Sequence, residues 1–334
     1  MGTIHLRAAL AACIATLLVC VPGVAPASAD PLPSWNDTGP KHAIRNFIAQ
    51  VTAERSPAFV QPEARIAVFD NDGTLWAEKP VYFQLAFAAD RIVALAPENP
   101  AWETTQPFKG ILEGDLKAVT SAGEHGLLEI LAATHAGITT SAFGEIVDAW
   151  LENAEHPTLH RPYTKLVYQP MLELLDYLRA NGFKTFIVSG GGVEFMRRFA
   201  ERVYGIPPEQ VVGSSGVVAF ETADDGSVTL VKKPKVEFVD DGPGKPIGIN
   251  RFIGRQPIFA FGNSDGDLEM LQYTASGAGA RFMGLVHHTD ETREWAYDRT
   301  SHIGKLDTAL DEATAKGWSI VDMKQDWKAV FSPN

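Results

Sequence analysis

Asp70 and Asp72 stand two residues apart at the end of the apolar run Ile66-Ala67-Val68-Phe69, and Gly73 and Thr74 follow them. Two carboxylates this close repel each other unless a cation or a proton is shared between them. The pair therefore implies a divalent metal, or an acid beside a nucleophile. The bland alternative is an Asx-type turn with both acids solvated. Three more stretches carry reactive side chains. Ser189 opens the string Ser189-Gly190-Gly191-Gly192, Lys245 sits in Gly242-Pro243-Gly244-Lys245-Pro246, and Asn263, Asp265 and Asp267 share one short loop. Carboxylate and amide oxygens are hard ligands of the kind Mg²⁺ takes. The Ser189 hydroxyl, the Gly190 N–H and the N-terminus of the next helix can hold phosphate oxygens. Lys245 can neutralise charge on a phosphoryl group and on Asp70.

These groups need elements that converge. Residues 66–69, 184–188 and 257–261 read as short buried strands. If they are parallel, the loops after them open on one edge of the sheet, where α/β folds bind ligands. Strands alternating with helices at 170–178, 193–204, 247–254 and 268–273 predict a Rossmann-like parallel sheet. Residues 217–221 and 227–232, joined around Asp224-Asp225-Gly226, read as a β-hairpin. Between the first two strands the pattern is helical, at 83–95, 111–121, 127–134 and 142–154. This block is a candidate second domain, inserted at 77–164 into a core made of residues 30–76 and 165–334. Residues 41–54 read as an amphipathic helix. Residues 30–40, rich in Pro, Ser, Asn and Gly, read as an exposed arm.

The order Asp70-x-Asp72-Gly73-Thr74, Ser189, Lys245, Gly262-Asn263-Ser264-x-x-Asp267 resembles the haloacid dehalogenase-like hydrolase superfamily, most closely its phosphoserine-phosphatase-like branch. The resemblance covers the α/β part, and the helical block falls where that superfamily inserts a cap. It implies that Asp70 is the nucleophile, forming an aspartyl-phosphate. Asp72 would protonate the leaving oxygen and then activate water, its main-chain carbonyl touching Mg²⁺. Thr74, Ser189 and Gly190 would contact the phosphoryl oxygens. Lys245 would stabilise the charge of Asp70 and the phosphate. Asn263 and Asp267 would complete the metal site. The superfamily usually has Asp where this chain has Asn263, and Asp265 is a candidate substitute.

Asp72 also bears on the reaction. A halide leaves without a proton, whereas an alkoxide needs one. The acid therefore favours phosphomonoester hydrolysis. The alternatives are a catalytically silent phosphate- or ester-binding protein, which Asn263 motivates, and a phosphotransferase. Candidate cap contacts to substrate are Glu78, Lys79, Tyr82, Phe83, Trp102 and Trp150, each weighed against plain packing. His156, His160, His287 and His288 read as packing or surface histidines.

The first 29 residues read as a bacterial secretory signal peptide. Arg7 is followed by an apolar run over 8–21, and Ala27-Ser28-Ala29 fits a cleavage site. At 14 residues the run is short of the about 20 that a membrane helix needs. The only cysteines, Cys13 and Cys20, lie inside it, so the mature chain would carry no thiol, as suits a periplasmic or secreted protein. The net charge of −12 and the lack of a basic stripe argue against a nucleic-acid partner.

Overall fold

β1 (Ile66–Phe69) is buried along its whole length, and it forms the centre of the molecule. In this computed structural model, Gly2 and residues 29–115 and 123–332 are described. The expected signal peptide lies almost wholly outside them, as does the end of the expected helix over 111–121. β1 pairs in parallel with β2 (Lys184–Gly192) on one side and with β5 (Phe259–Gly262) on the other. The seven-stranded sheet runs β4-β3-β2-β1-β5-β6-β7, with β3 at Val211–Thr222, β4 at Val228–Phe238, β6 at Phe282–His287 and β7 at Ser319–Asp322. All pairs are parallel except β3 with β4. This is the α/β Rossmann-like core expected.

The strands bury both faces, as parallel strands covered by helices must. Ala67 and Phe69 of β1 join Ile187, Phe259, Phe261 and Phe282 in one core. Ile66 and Val68 join Phe186, Val188, Ala260 and Leu285 in the other. The parallel registers Phe69↔Ile187 and Val68↔Phe186 bring like-facing residues side by side.

Between β1 and β2 come helices Phe83–Leu95, Phe108–Leu112, Gly123–His135 and Thr140–Asn153. They have a small core of their own in Ala88, Ile92, Phe108, Ile111 and Ile130. They also send Phe83, Phe87, Phe143, Val147 and Leu151 into the main core. The described residues from Pro31 onward form one compact unit.

Besides β6 and β7, which no expected strand covers, four local features differ from expectation. Residues 30–40 are not an exposed arm: Leu32 and Trp35 are fully buried. The Trp35 indole N–H donates to the Pro170 carbonyl, 2.9 Å away, and its ring meets Trp327 edge-on. The hairpin is longer than expected, and β3 begins as a parallel partner of β2 before turning outward to pair with β4. The glycine string continues β2 through a register shift between Ser189 and Gly192. The helix expected over 193–204 is two short pieces, Val193–Met196 and Ala200–Tyr204.

Candidate active site

Lys245 is the hub of the sheet edge. It sits in the short helix Gly244–Gly248, and its side chain is buried. Its ammonium donates to Asp70 Oδ1 at 2.8 Å, Asp267 Oδ1 at 2.5 Å and the Val188 carbonyl at 3.1 Å. It thus ties together the ends of β1, β2 and β5. Burial works against its charge, but Asp267 and Asp70 hold it protonated far above the ordinary lysine range. Asp70 is shifted upward by burial and then by the charge of Asp267, with Lys245 pulling the other way.

The turn after β1 winds around one carbonyl. Asn71 O accepts the N–H groups of Thr74, Leu75 and Trp76. The Asn71 side chain is held by Tyr204 Oη at 3.0 Å. Gly73 takes φ +71°, and a Cβ there would collide with Asn263 and Glu78. Glycine alone tolerates both demands. The Gly73 carbonyl in turn accepts from His288 Nε2 at 2.8 Å. Asp72 is half-buried, and its Oδ1 accepts the Trp76 indole N–H at 2.6 Å. Burial, then the charge of Asp70, pushes its carboxyl up to about 7.

The loop after β5 carries its acids to different places. Both oxygens of Asp267 are engaged, Oδ1 by Lys245 and Oδ2 by the N–H groups of Asn263 and Ser264 and the Ser264 hydroxyl. Asp265 is engaged by a different element. Its Oδ1 accepts the N–H groups of Asp307 and Ala309, capping the helix Thr308–Lys316. It is not brought to the site as a substitute ligand, because a helix N-terminus claims its charge. Asn263 is buried between Thr74, whose hydroxyl donates to its Oδ1 at 3.0 Å, and Glu78, whose Oε1 accepts from its Nδ2 at 2.8 Å. Thr74 therefore spends its donor on Asn263 rather than offering it to a phosphoryl oxygen.

Ser189 is buried within β2, just before its register shift, and its Oγ accepts from Gly191 N at 3.3 Å. Gly190 is exposed. The helix after it has only four residues, too few for a strong terminal dipole. Gly192 N donates to Oε1 of Gln84, in the first turn of the inserted helices. Asp240 is buried nearby, and burial pushes its carboxyl up to about 7 against the pull of Lys245.

Trp76, Gln84, Asp240, Tyr297 and His288 belong to this edge without having been expected there. Trp76 follows the motif directly, so its closeness was readable; Gln84, Asp240 and Tyr297 had no signal. Of the candidate cap contacts, Glu78 reaches the site. Lys79 donates to Ser301 and the Ile303 carbonyl. Phe83 is core, Trp102 stacks on Phe108, and Trp150 stacks on Tyr163 while donating to Asp90. Tyr82 Oη accepts from Gly304 N at 3.4 Å. His156 and His288 hold main-chain carbonyls, of Lys79 and Gly73.

Among the described residues no three His, Cys, Asp or Glu groups cluster closely enough to hold a metal ion. The donors on this edge are of mixed kind: the Asp70 carboxylate, the Asp72 main-chain carbonyl and the Asn263 amide oxygen. All are hard oxygens, and the aspartates outnumber Lys245. That chemistry fits Mg²⁺.

The haloacid dehalogenase-like hydrolase family matches residues 67–272, more than half of the chain, and this span contains every site residue from Asp70 to Asp267. The chain belongs to that family. Solved structures similar to this hydrolase include a conserved protein of unknown function from Anaerococcus prevotii DSM 20548, at 16% identity over 84% of this chain and 91% of that one, TM-score 0.47. A protein of unknown function from Bordetella pertussis Tohama I is 15% identical over 78% and 98%, TM-score 0.46. A phosphoserine phosphohydrolase-like protein from Francisella tularensis subsp. tularensis SCHU S4 is 18% identical over 66% and 87%, TM-score 0.38. No curated protein matches the chain.

Proposed function

We propose that the protein is an exported, Mg²⁺-dependent phosphomonoesterase that acts on a small phosphorylated metabolite through an aspartyl-phosphate. The observation that carries this reading is geometric: the Lys245 ammonium donates to Asp70 at 2.8 Å, while the acid two residues on, Asp72, accepts the neutral Trp76 indole N–H at 2.6 Å. The Lys245 hydrogen bond favours the ionised form of Asp70, the group placed to attack, and burial favours a proton on Asp72.

Asp70, Asp72 and Asn263 would hold Mg²⁺. When bound, the cation would offset charge on the phosphoryl oxygens and keep Asp70 ionised. Asp70 then attacks phosphorus, and the bond from phosphorus to the ester oxygen breaks. Asp72 gives its proton to the departing alkoxide. Next, water attacks the aspartyl-phosphate, Asp72 takes the water's proton, and the Asp70–phosphorus bond breaks to release inorganic phosphate. Lys245 offsets charge on Asp70 throughout, while Asp267 fixes Lys245. The exposed Gly190 N–H and Ser189 are the remaining candidate phosphate donors.

The purified mature protein should hydrolyse p-nitrophenyl phosphate with Mg²⁺ and lose activity in EDTA. Asp70→Asn should lower kcat by about 10³-fold or more, since the nucleophile itself is removed. Full activity in Asp70→Asn overturns the proposal. Asn263, which brings no charge to its place, favours the second reading of a silent binding protein. That reading predicts phosphate binding by calorimetry without turnover at any Mg²⁺ concentration.

A further inference from the structure

We propose that Asp241 sets the charge preference of this edge: its carboxylate disfavours phosphomonoesters whose alcohol part carries further negative charge. This rests on the phosphatase reading above. Asp241 lies in the loop between β4 and Lys245, and it is exposed. Its carboxyl group packs against the outgoing chain of both strands that flank β1. A Cβ on Gly190, in β2, would lie 3.5 Å from Asp241 Oδ1, and one on Gly266, after β5, would collide with that oxygen at 2.6 Å. Gly266 has no positive φ, so its lack of a side chain answers to space and not to backbone conformation. The Gly242 N–H donates to the Gly266 carbonyl at 3.1 Å and pins the two loops together. The carboxylate thus stands beside Gly190, whose exposed N–H is one of the remaining candidate phosphate donors.

No structural task accounts for this charge. Among the described residues no hydrogen bond or ion pair ends on the Asp241 carboxylate. The short helix Gly244–Gly248 takes no side-chain cap. Lys245 spends its ammonium on Asp70, Asp267 and the Val188 carbonyl. The charge of Asp241 does reach the buried Asp240 beside it, and it acts on whatever binds in the same way. Whichever way a small ester points, its alcohol end stays within about 8–10 Å of a charge beside its phosphoryl group, the range over which salt leaves such charges in contact. A second negative charge there is repelled and a positive one attracted. Inorganic phosphate, held by the same donors, meets the carboxylate most closely, so the product is held loosely.

The test compares kcat/KM for aminoethyl, hydroxyethyl and carboxymethyl phosphate, three small esters that differ in charge, in the mature protein with Mg²⁺. The readout is the ratio between esters, which a general loss of folding or activity does not move. In the wild type kcat/KM should fall in that order, and the spread should shrink at high salt. Asp241→Asn should narrow each step by about threefold to tenfold, and Asp241→Lys should reverse the order. Inhibition of p-nitrophenyl phosphate hydrolysis by inorganic phosphate should tighten by a similar factor in Asp241→Asn. Ratios and phosphate inhibition that stay at wild-type values in both variants overturn the inference. So does a uniform loss over all esters with phosphate inhibition unmoved, which would mark a purely structural side chain. Those results leave the phosphatase reading standing; a wild type that hydrolyses neither p-nitrophenyl phosphate nor any of the three esters overturns both.

Discussion

Trp76 shows how one side chain can set the chemistry of another. Its indole N–H ends on Asp72, while its ring is packed between Phe83 and Phe199. That hydrogen bond favours the ionised form of Asp72 and so opposes the upward push of burial and of Asp70. Trp76→Phe keeps the aromatic packing and removes the donor. The Asp72 carboxyl should then titrate higher, and the alkaline limb of kcat/KM should move to higher pH. A pH–rate series on the variant and the wild type measures this. The lost bond should also cost about 1.5–3 kcal/mol of stability, read from urea unfolding. Asp70 and Asp72 were legible as acids at a strand end, and Lys245, a plain loop lysine by itself, only through its order with them, Ser189 and the loop at 263–267. Asp265 misled because its spacing is that of a ligand, and only the fold shows that the helix Thr308–Lys316 uses it.

At the scale of elements, the loop after β6 locks the turn after β1. His288 donates from Nε2 to the Gly73 carbonyl and from Nδ1 to Glu294 Oε2 at 3.0 Å, and Tyr168 Oη donates to Glu294 Oε1. Both ring nitrogens can donate only in the imidazolium. Burial opposes that charge, but Glu294, its hydrogen bond, Glu78 and the Gly73 carbonyl outweigh it, so the His288 pKa is raised. The stability this contributes is fully present below the unfolded value of about 6.5, and it is lost as pH rises through the higher folded value. Melting temperatures of wild type and His288→Gln should therefore differ most at acid pH, and the gap should narrow as pH rises. Thermal melts across a pH series check this. Sequence pattern could not reveal this brace. β6 and β7 are short runs without a clean period, and neither was expected as a strand. The other strands were visible because their apolar runs are bounded by Gly, Asp or Pro.

At the scale of the molecule, residues distant in the chain close the core. Trp35 and Trp327 lie at the two ends of the described compact unit and meet in its interior. Composition made residues 30–40 look like an arm, because two apolar side chains among Pro, Ser and Asn carry no periodicity. The segment before it is where export would be decided. Expressed with its full N-terminus in a Gram-negative host, the protein should be recovered by osmotic shock with Asp30 as its first residue. N-terminal sequencing of that fraction checks the cut after Ala29.

The sheet order has a consequence for synthesis. β1 emerges early from the ribosome, but its second neighbour, β5, begins 190 residues later, from Phe69 to Phe259. At ordinary translation speeds of 5–20 residues per second, the nascent chain waits about 10–40 s with one side of its middle ribbon bare. Over that interval the growing polypeptide depends on a chaperone, or on staying unfolded, to keep that greasy seam from sticking to something else.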